Sequence, residues 1–228
     1  SAVVIPNTPL VAQLSATPMV MLVAGKDHKL FYEAYNDTSD IDGDGVLDIG
    51  FIPNNPNIIY YGLFDPKVCY VHNNASDNTG LFTPSATAVN GKCSGQWSGL
   101  WLNYMTTSRM DSLRKVLYGG HREADSTTQT ILRRAYIPAD AHSWGKEYES
   151  VAVNGYNISD YTPLALPTAG TRHFFGNLTA NYSQNCSTLN SCSNMPPLLR
   201  IRENVGSGKR IWEWASKERP VLSTNLAS

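Results

Sequence analysis

A stretch of closely spaced aspartates, residues 40–48, constrains this chain more than any other part of it. Its four carboxylates stand at the first, third, fifth and ninth positions of a loop: Asp40, Asp42, Asp44 and Asp48. This is the front half of an EF-hand-type calcium loop, in which alternate side chains turn toward one point and the glycine at the sixth position, here Gly45, allows a sharp turn. Carboxylates this close repel one another unless a cation lies among them. The spacing therefore predicts one bound Ca²⁺ ion.

The predicted ligands are the four carboxylates together with the backbone carbonyl of Val46, which takes the seventh position. The twelfth position, where an EF-hand carries a bidentate glutamate, is Phe51, so this loop is a shortened one whose last ligand comes from elsewhere. Asp37, three residues upstream, is a candidate extra ligand. The alternative is a polar turn in which Asp and Gly residues simply suit the turn geometry.

The cysteines point to an oxidising compartment. The chain has four of them in two neighbourhoods, Cys69 with Cys93 and Cys186 with Cys192, in a sequence rich in Asn, Ser and Thr. Three pairings are possible, and proximity favours one disulfide within each neighbourhood. No Cys-x2-Cys motif is present, which argues against a structural zinc site.

Charge and hydrophobicity exclude some classes of partner. The 228 residues carry a net charge of -1, so the chain lacks the net positive charge that favours binding to nucleic acid. The apolar run at residues 19–24 is far too short to span a membrane. The chain starts at Ser1 without a basic segment of the signal-peptide type, so we expect a mature form or a fragment.

Apolar periodicity predicts an α/β fold, with α+β as the alternative. Residues 19–23 read as a strand buried on both faces, and residues 97–120 as the clearest helix, stopped by Gly119 and Gly120. A second helix is predicted within residues 126–134. Further short strands are predicted at 58–61, 67–71, 135–137, 148–156, 171–175, 198–202 and 210–214. We expect residues 1–145 to form an α/β core with the aspartate loop and a disulfide-stapled insertion, and residues 146–228 to complete the same domain with β structure.

Several long motifs resemble the N-terminal region of PilY1-type proteins, the tip-associated assembly factors and adhesins of type IV pili. They include Asp27-His28-Lys29-Leu30-Phe31-Tyr32, the Asp-Gly-Asp-Gly loop, Tyr60-Tyr61-Gly62-Leu63-Phe64-Asp65 and Arg210-Ile211-Trp212-Glu213-Trp214. The most specific is Thr107-Ser108-Arg109-Met110-Asp111-Ser112-Leu113-Arg114-Lys115-Val116-Leu117-Tyr118-Gly119-Gly120. The resemblance covers nearly the whole chain.

This resemblance implies a secreted or cell-surface interaction module of a pilus. The expected partners are minor pilins or other tip components, with a host or abiotic surface as a further candidate. Such proteins usually continue into a C-terminal β-propeller, before which this chain stops. Many also carry a von Willebrand A-like domain with an Asp-x-Ser-x-Ser metal motif. That motif is absent after residue 23, so its metal site is not transferred, and a divergent A-like core with long loop insertions is expected.

Catalytic motifs are weak. Ser112 with Lys115 and Ser143 with Lys146 match Ser-x-x-Lys, but without the signatures that accompany it in acyl transferases. Gly-x-Ser-x-Gly and His-Glu-x-x-His are both absent. Asp140 with His142 reads as a metal or acid–base pair, or more often as a hydrogen-bonded corner.

The five tryptophans offer one more functional alternative, a carbohydrate-binding surface. They could line a sugar-binding platform or fill the core: Trp97, Trp101, Trp144, Trp212 and Trp214. We therefore expect that this protein is not an enzyme. The alternatives are a secreted carbohydrate-active or hydrolase-like domain, and a self-assembling surface fibre subunit.

Overall fold

The computed structural model describes Met21, Val23, Gly25 and residues 27–73, 80–137, 142–178 and 198–206. Its helices are α1 (Gly99–Thr106), α2 (Arg109–Tyr118) and the short α3 (Val151–Asn154), with 3-10 turns at His28–Phe31 and Ile158–Asp160. Its strands are β1 (Val68–His72), β2 (Phe82–Thr87), β3 (Trp97–Ser98), β4 (His121–Asp125), β5 (Thr130–Arg133), β6 (Trp144–Tyr148), β7 (Thr171–Leu178) and β8 (Leu198–Gly206).

These strands form three small sheets, ordered β2-β1-β3, β4-β5 and β6-β7-β8. The mixed α/β class is confirmed. Every pairing between the described strands is antiparallel, which is the α+β arrangement. The von Willebrand A-like core is not confirmed, because a doubly wound core requires parallel strands joined by crossover helices.

The predicted helix at 97–120 is two helices. The chain is extended at Thr107, and Ser108 caps α2: the Ser108 Oγ accepts from the Asp111 N–H at 3.1 Å while the Asp111 carboxylate accepts from the Ser108 N–H at 3.2 Å. Asp111 is only 2% exposed, and its carboxylate belongs to this capping box. Gly119 ends α2 in the left-handed region at φ 84°, as predicted.

Residues 126–134 are not a helix. They form the turn and second strand of the β4–β5 hairpin, because the Ser126 Oγ accepts from the N–H groups of Thr128 and Gln129 at 3.3 and 3.0 Å and closes the turn. The predicted strand at 148–156 ends at Tyr148, since Ser150 caps α3.

Three other predicted strands are not formed, because the described residues at these positions pair with no neighbouring strand. Met21 and Val23 are 86% and 84% exposed and lie outside any strand, so the buried strand at 19–23 is wrong for the residues that can be seen. Residues 58–61 and 135–137 are buried in part but irregular. The strands predicted at 67–71, 171–175 and 198–202 are confirmed as β1, β7 and β8. The prediction at 210–214 lies outside the described residues.

One aromatic core joins both parts of the chain. Phe51 is 4% exposed and its ring lies 4.9–5.2 Å from four tyrosine rings: Tyr60, Tyr104, Tyr156 and Tyr161. Edge-to-face and tilted pairs of this kind stabilise beyond their buried area. Phe51 stands where an EF-hand has its last ligand, so this end of the aspartate loop is held by burial in the core.

A disulfide links Cys69 on β1 to Cys93, with Cα atoms 5.6 Å apart, as predicted. The N–H of Cys93 also donates to the Asp160 carbonyl at 2.6 Å. This hydrogen bond links the segment between the two cysteines to the second part of the chain, residues 146–228. The predicted pairing of Cys186 with Cys192 lies outside the described residues.

Candidate metal centre

The aspartate loop is shaped by carboxylates that accept hydrogen bonds from its own backbone. Asp40 Oδ1 accepts from the N–H groups of Gly43 and Asp44 at 2.6 and 3.1 Å, and Asp40 Oδ2 accepts from Gly45 at 2.8 Å. Gly43 and Gly45 adopt φ values of 79° and 89°, which a side chain would disfavour. These N–H groups, that of Gly45 first, lower the pKa of Asp40, so the carboxylate is ionised at neutral pH.

Asp48 closes the loop. Its Oδ2 accepts from the Ile41 N–H at 2.6 Å, its own N–H donates to the Ser39 carbonyl at 2.9 Å, and it is only 8% exposed. The ninth loop residue is thereby brought back beside the first. Two residues later, the Gly50 N–H donates to Asp37 Oδ1 at 3.0 Å, so Asp37 fastens the end of the loop.

Three of the four predicted carboxylates converge. Within the described part of the chain, Asp40, Asp42 and Asp48 are the one group of three or more acidic, His or Cys side chains whose candidate ligand atoms all lie within 4.8 Å of one another. The donors are oxygens alone and the group is anionic, which is the donor chemistry that Ca²⁺ prefers. These residues therefore fit a hard divalent cation.

The other two predicted ligands are placed differently. Asp44 lies outside the converging group, and its Oδ1 accepts from the Val46 N–H at 2.7 Å. Val46, whose side chain is 66% exposed, has no ligand atom in that side chain, so it would contribute through its backbone carbonyl only. Both residues lie on the exposed rim of the loop.

Asn55 belongs to this centre and was not predicted. Its Nδ2 donates to Asp42 Oδ2 at 2.6 Å, while its Oδ1 accepts from the Asn57 N–H at 2.9 Å. It thus holds the third-position carboxylate from a neighbouring turn, 13 residues along the chain. The only sequence signal was a stretch of Asn and Pro at residues 53–57, which marks a turn and nothing more specific.

Behind the loop lies a buried ion pair. The Nζ of Lys146 is 3.7 Å from Glu33 Oε2, donates to the carbonyls of Tyr35 and Tyr104 at 2.6 and 3.1 Å, and lies 3.6 Å from the centre of the Tyr104 ring. Each of these contacts favours the charged ammonium. Lys146 is therefore arranged as a donor and not as the base of the Ser143 motif.

The described tryptophans support packing and not a sugar platform. Trp101 and Trp144 are 0% and 4% exposed, and their indole N–H groups donate to the Tyr156 hydroxyl and the Met105 carbonyl, both at 3.3 Å. Trp97 packs against the same core. Trp212, Trp214 and Asp140 lie outside the described residues, while His142 stacks on the Tyr32 ring with centroids 5.3 Å apart.

Comparison with known proteins assigns the family. Residues 53–201 match the model of a family described as PilY1 homolog, small alpha/beta domain. This chain belongs to the PilY1 homolog family. The resemblance carried by its motifs is confirmed, and the aspartate loop precedes the segment that the family model matches.

Two relatives, both from Xylella fastidiosa, carry the name type IV pilus biogenesis factor PilY1 homolog. One is 50% identical over 209 residues, which are 90% of this chain and 13% of the relative. The other is 34% identical over 89 residues, which are 36% of this chain and 7% of the relative. The chain thus spans about an eighth of the length of the first relative, and its match to the second covers a still smaller share of that protein. No solved structure matches. Among the described helices, none is long and apolar enough to cross a membrane.

Proposed function

We propose that this chain is a calcium-stabilised interaction module of a type IV pilus biogenesis protein, which acts at the cell surface by contacting pilus components and not by catalysis. Membership of the PilY1 homolog family supports the pilus role. The disulfide between Cys69 and Cys93 supports an extracytoplasmic location, because disulfides persist in oxidising compartments. Minor pilins or other tip components are the proposed partners, and adhesion to a surface is the wider role.

The convergence of Asp40, Asp42 and Asp48 carries the calcium part of this proposal. Three carboxylates that share one small space destabilise the folded chain unless their charge is offset. A bound Ca²⁺ ion supplies that positive charge and coordinates oxygen ligands. The side chains of Asp40, Asp42 and Asp48 would hold it, with Asp44 and the Val46 carbonyl as the remaining proposed ligands.

The role proposed for the ion is structural. The loop leads into Phe51 at the centre of the aromatic core, and Asn55 fixes Asp42 from the next turn. An ion that binds only the folded chain stabilises it by RT ln(1 + [L]/Kd), which is about 2.7 kcal/mol at a hundredfold excess over Kd. Calcium would thus set the course of residues 37–58 and the surface that they present.

Calorimetric titration tests the site. Chelator-stripped protein is titrated with CaCl₂ as the wild type, as Asp42→Asn and as Asp125→Asn, which removes the same charge from the exposed β4–β5 hairpin. We expect saturable heat and a calcium-dependent rise in melting temperature for the wild type and for Asp125→Asn, and neither for Asp42→Asn. Absence of heat in the wild type rejects the site.

Binding to purified minor pilins, with calcium and with chelator, tests the pilus role. We expect chelation to lower the melting temperature and to weaken pilin binding together, and Asp42→Asn to behave at all calcium concentrations like the chelated wild type. If chelation abolished binding but left melting unchanged, the ion would bridge the interface directly and the structural role would be wrong.

A further inference from the structure

A fully buried histidine holds a bulge between two strands of the third sheet. The register of β7 and β8 shifts between Arg172 and Phe174. His173, which is 0% exposed, therefore lies opposite two residues of β8, Glu203 and Asn204. A bulge of this kind leaves backbone groups without a partner on the neighbouring strand. The N–H of Asn204 is such a group, and it donates instead to the imidazole Nδ1 of His173 at 3.2 Å.

The two hydrogen bonds of the ring fix its protonation. Because Nδ1 accepts from a backbone N–H, it carries no proton of its own. Nε2 lies 2.8 Å from the Ala165 carbonyl, which can only accept, so the single ring proton is on Nε2. His173 is therefore held as a neutral imidazole in one defined tautomer. Through this ring, β7 is joined both to β8 and to the segment that precedes β7.

A second proton on this ring would find no acceptor. It would lie on Nδ1 and face the N–H of Asn204, so that two donors would point at each other. The positive charge would also lie where solvent does not reach, which is costly for an ion that is not paired. Within the described part of the chain, no carboxylate forms an ion pair with His173.

The titratable groups on β6 and β7 are engaged elsewhere. Tyr148 is the cross-strand partner of His173 on β6, and its hydroxyl donates to the Tyr156 carbonyl at 2.7 Å. Glu149 follows Tyr148 and is held by Arg172, whose Nε and Nη2 lie 2.9 and 2.8 Å from Glu149 Oε2. This carboxylate is therefore already balanced by a cation of its own.

The other two neighbours bring no charge into the buried site. On β8, Arg202 and Glu203 are exposed to solvent. Residues 162–170 include no ionisable side chain. The same segment is tied to β8 by Asn204, whose Oδ1 accepts from the Thr168 N–H at 3.0 Å. The imidazole thus stands at a junction of three segments, and loss of its hydrogen bonds loosens all of them.

We propose that His173 is an acid-sensitive latch, which joins β7, β8 and residues 165–168 while it is neutral and releases β8 when it takes up a second proton. An imidazole in the unfolded or released chain binds that proton near pH 6.5, at about the value of the free side chain, whereas the closed latch excludes it. The contribution of the latch to stability is therefore intact above about pH 6.5 and is lost as the pH falls. Because one proton is involved, the ratio of closed to open molecules falls by up to about tenfold per pH unit. The latch shares no residue with the aspartate loop.

Urea unfolding at about pH 7.5 and about pH 5, at a fixed concentration of free calcium, tests the latch across the range in which imidazole titrates. The wild type is compared with His173→Asn and with the control His121→Asn. Asparagine keeps an oxygen that can accept from the Asn204 N–H, but it does not titrate. His121 is exposed on β4, so the control removes an ordinary imidazole.

We expect acidification to raise the unfolding constant of the wild type by roughly fivefold to thirtyfold more than that of His173→Asn, as the exclusion of one proton implies. His121→Asn should follow the wild type. Equal pH dependence of the wild type and His173→Asn overturns the proposal.

Nitrogen NMR of wild-type protein labelled in its histidines gives a second test that needs no variant. At about pH 7.5, we expect the His173 ring to carry its proton on Nε2 and none on Nδ1. As the pH falls, we expect the Asn204 amide to lose protection from hydrogen exchange together with protonation of the ring. A ring protonated on both nitrogens while the Asn204 amide stays protected would show that the fold accommodates the charge, and the latch would be wrong.

Discussion

Replacing Lys146 by methionine tests whether the buried ion pair holds the fold behind the aspartate loop. Methionine keeps the length of the apolar stem and removes the ammonium. The change leaves Glu33, whose side chain is 3% exposed, without its cation, and its Oε2 already has no hydrogen bond of its own. The carbonyls of Tyr35 and Tyr104 lose their 2.6 and 3.1 Å contacts with the ammonium at the same time.

The expected loss is large for a single residue. Removing one partner of a buried ion pair costs about 3–5 kcal/mol, because the other charge stays in the interior uncompensated. For a domain of this size each kcal/mol corresponds to about 2–4 °C, so we expect the melting temperature of Lys146→Met to fall by roughly 6–20 °C. The 3.7 Å separation from Glu33 is longer than the contacts to the two carbonyls, so these carbonyls account for part of the loss.

A double-mutant cycle in urea separates the two contributions. Lys146→Met, Glu33→Gln and the double variant are compared with the wild type. We expect the double variant to be more stable than Lys146→Met alone, because no unpaired carboxylate remains. A Lys146→Met variant within about 0.5 kcal/mol of wild type would refute the pairing, since that is the range of changes at ordinary surface positions. Strict additivity would instead assign the whole effect to the carbonyls of Tyr35 and Tyr104.

The remaining predictions concern covalent and pH-dependent stability. Replacing both Cys69 and Cys93 by serine should lower the free energy of unfolding by about 3 kcal/mol in the chain-entropy model, given their separation of 24 residues, and reductant should have the same effect on the wild type in urea titrations. Burial raises the pKa of Tyr60 to about 12, against 10.0 for a free side chain. The unfolded chain therefore loses this proton first, so the Tyr60 contribution is intact below pH 10 and is lost between pH 10 and 12, by about 3 kcal/mol. Urea titrations of wild type and Tyr60→Phe across this range should diverge; parallel curves would contradict the raised pKa.

Local rules were enough for the features whose causes lie within a few residues. The carboxylates of the aspartate loop bond backbone groups two to seven residues away, so their spacing was enough to predict the convergence of three of the four, all but Asp44. Gly119 ends α2 for the same kind of reason. The pairing of Cys69 with Cys93 was favoured by proximity along the chain. The long motifs also carried the family, because motif identity does not depend on knowing the fold.

Contacts between distant segments decided the rest. Sequence periodicity could not tell the β4–β5 hairpin from a helix. The hairpin is held by pairing of its two strands and by a turn that Ser126 closes, and neither leaves a periodic pattern of apolar residues. Lys146 meets the Tyr35 carbonyl across 111 residues, and no local pattern encodes that contact. In the sequence, Phe51 was notable only because it replaces the last ligand of an EF-hand. In the structure, four tyrosine rings pack around it at the centre of the core. Hydrogen bonds close in sequence form with little loss of chain entropy, whereas burial of an ion pair or an aromatic ring depends on the packing of all segments at once.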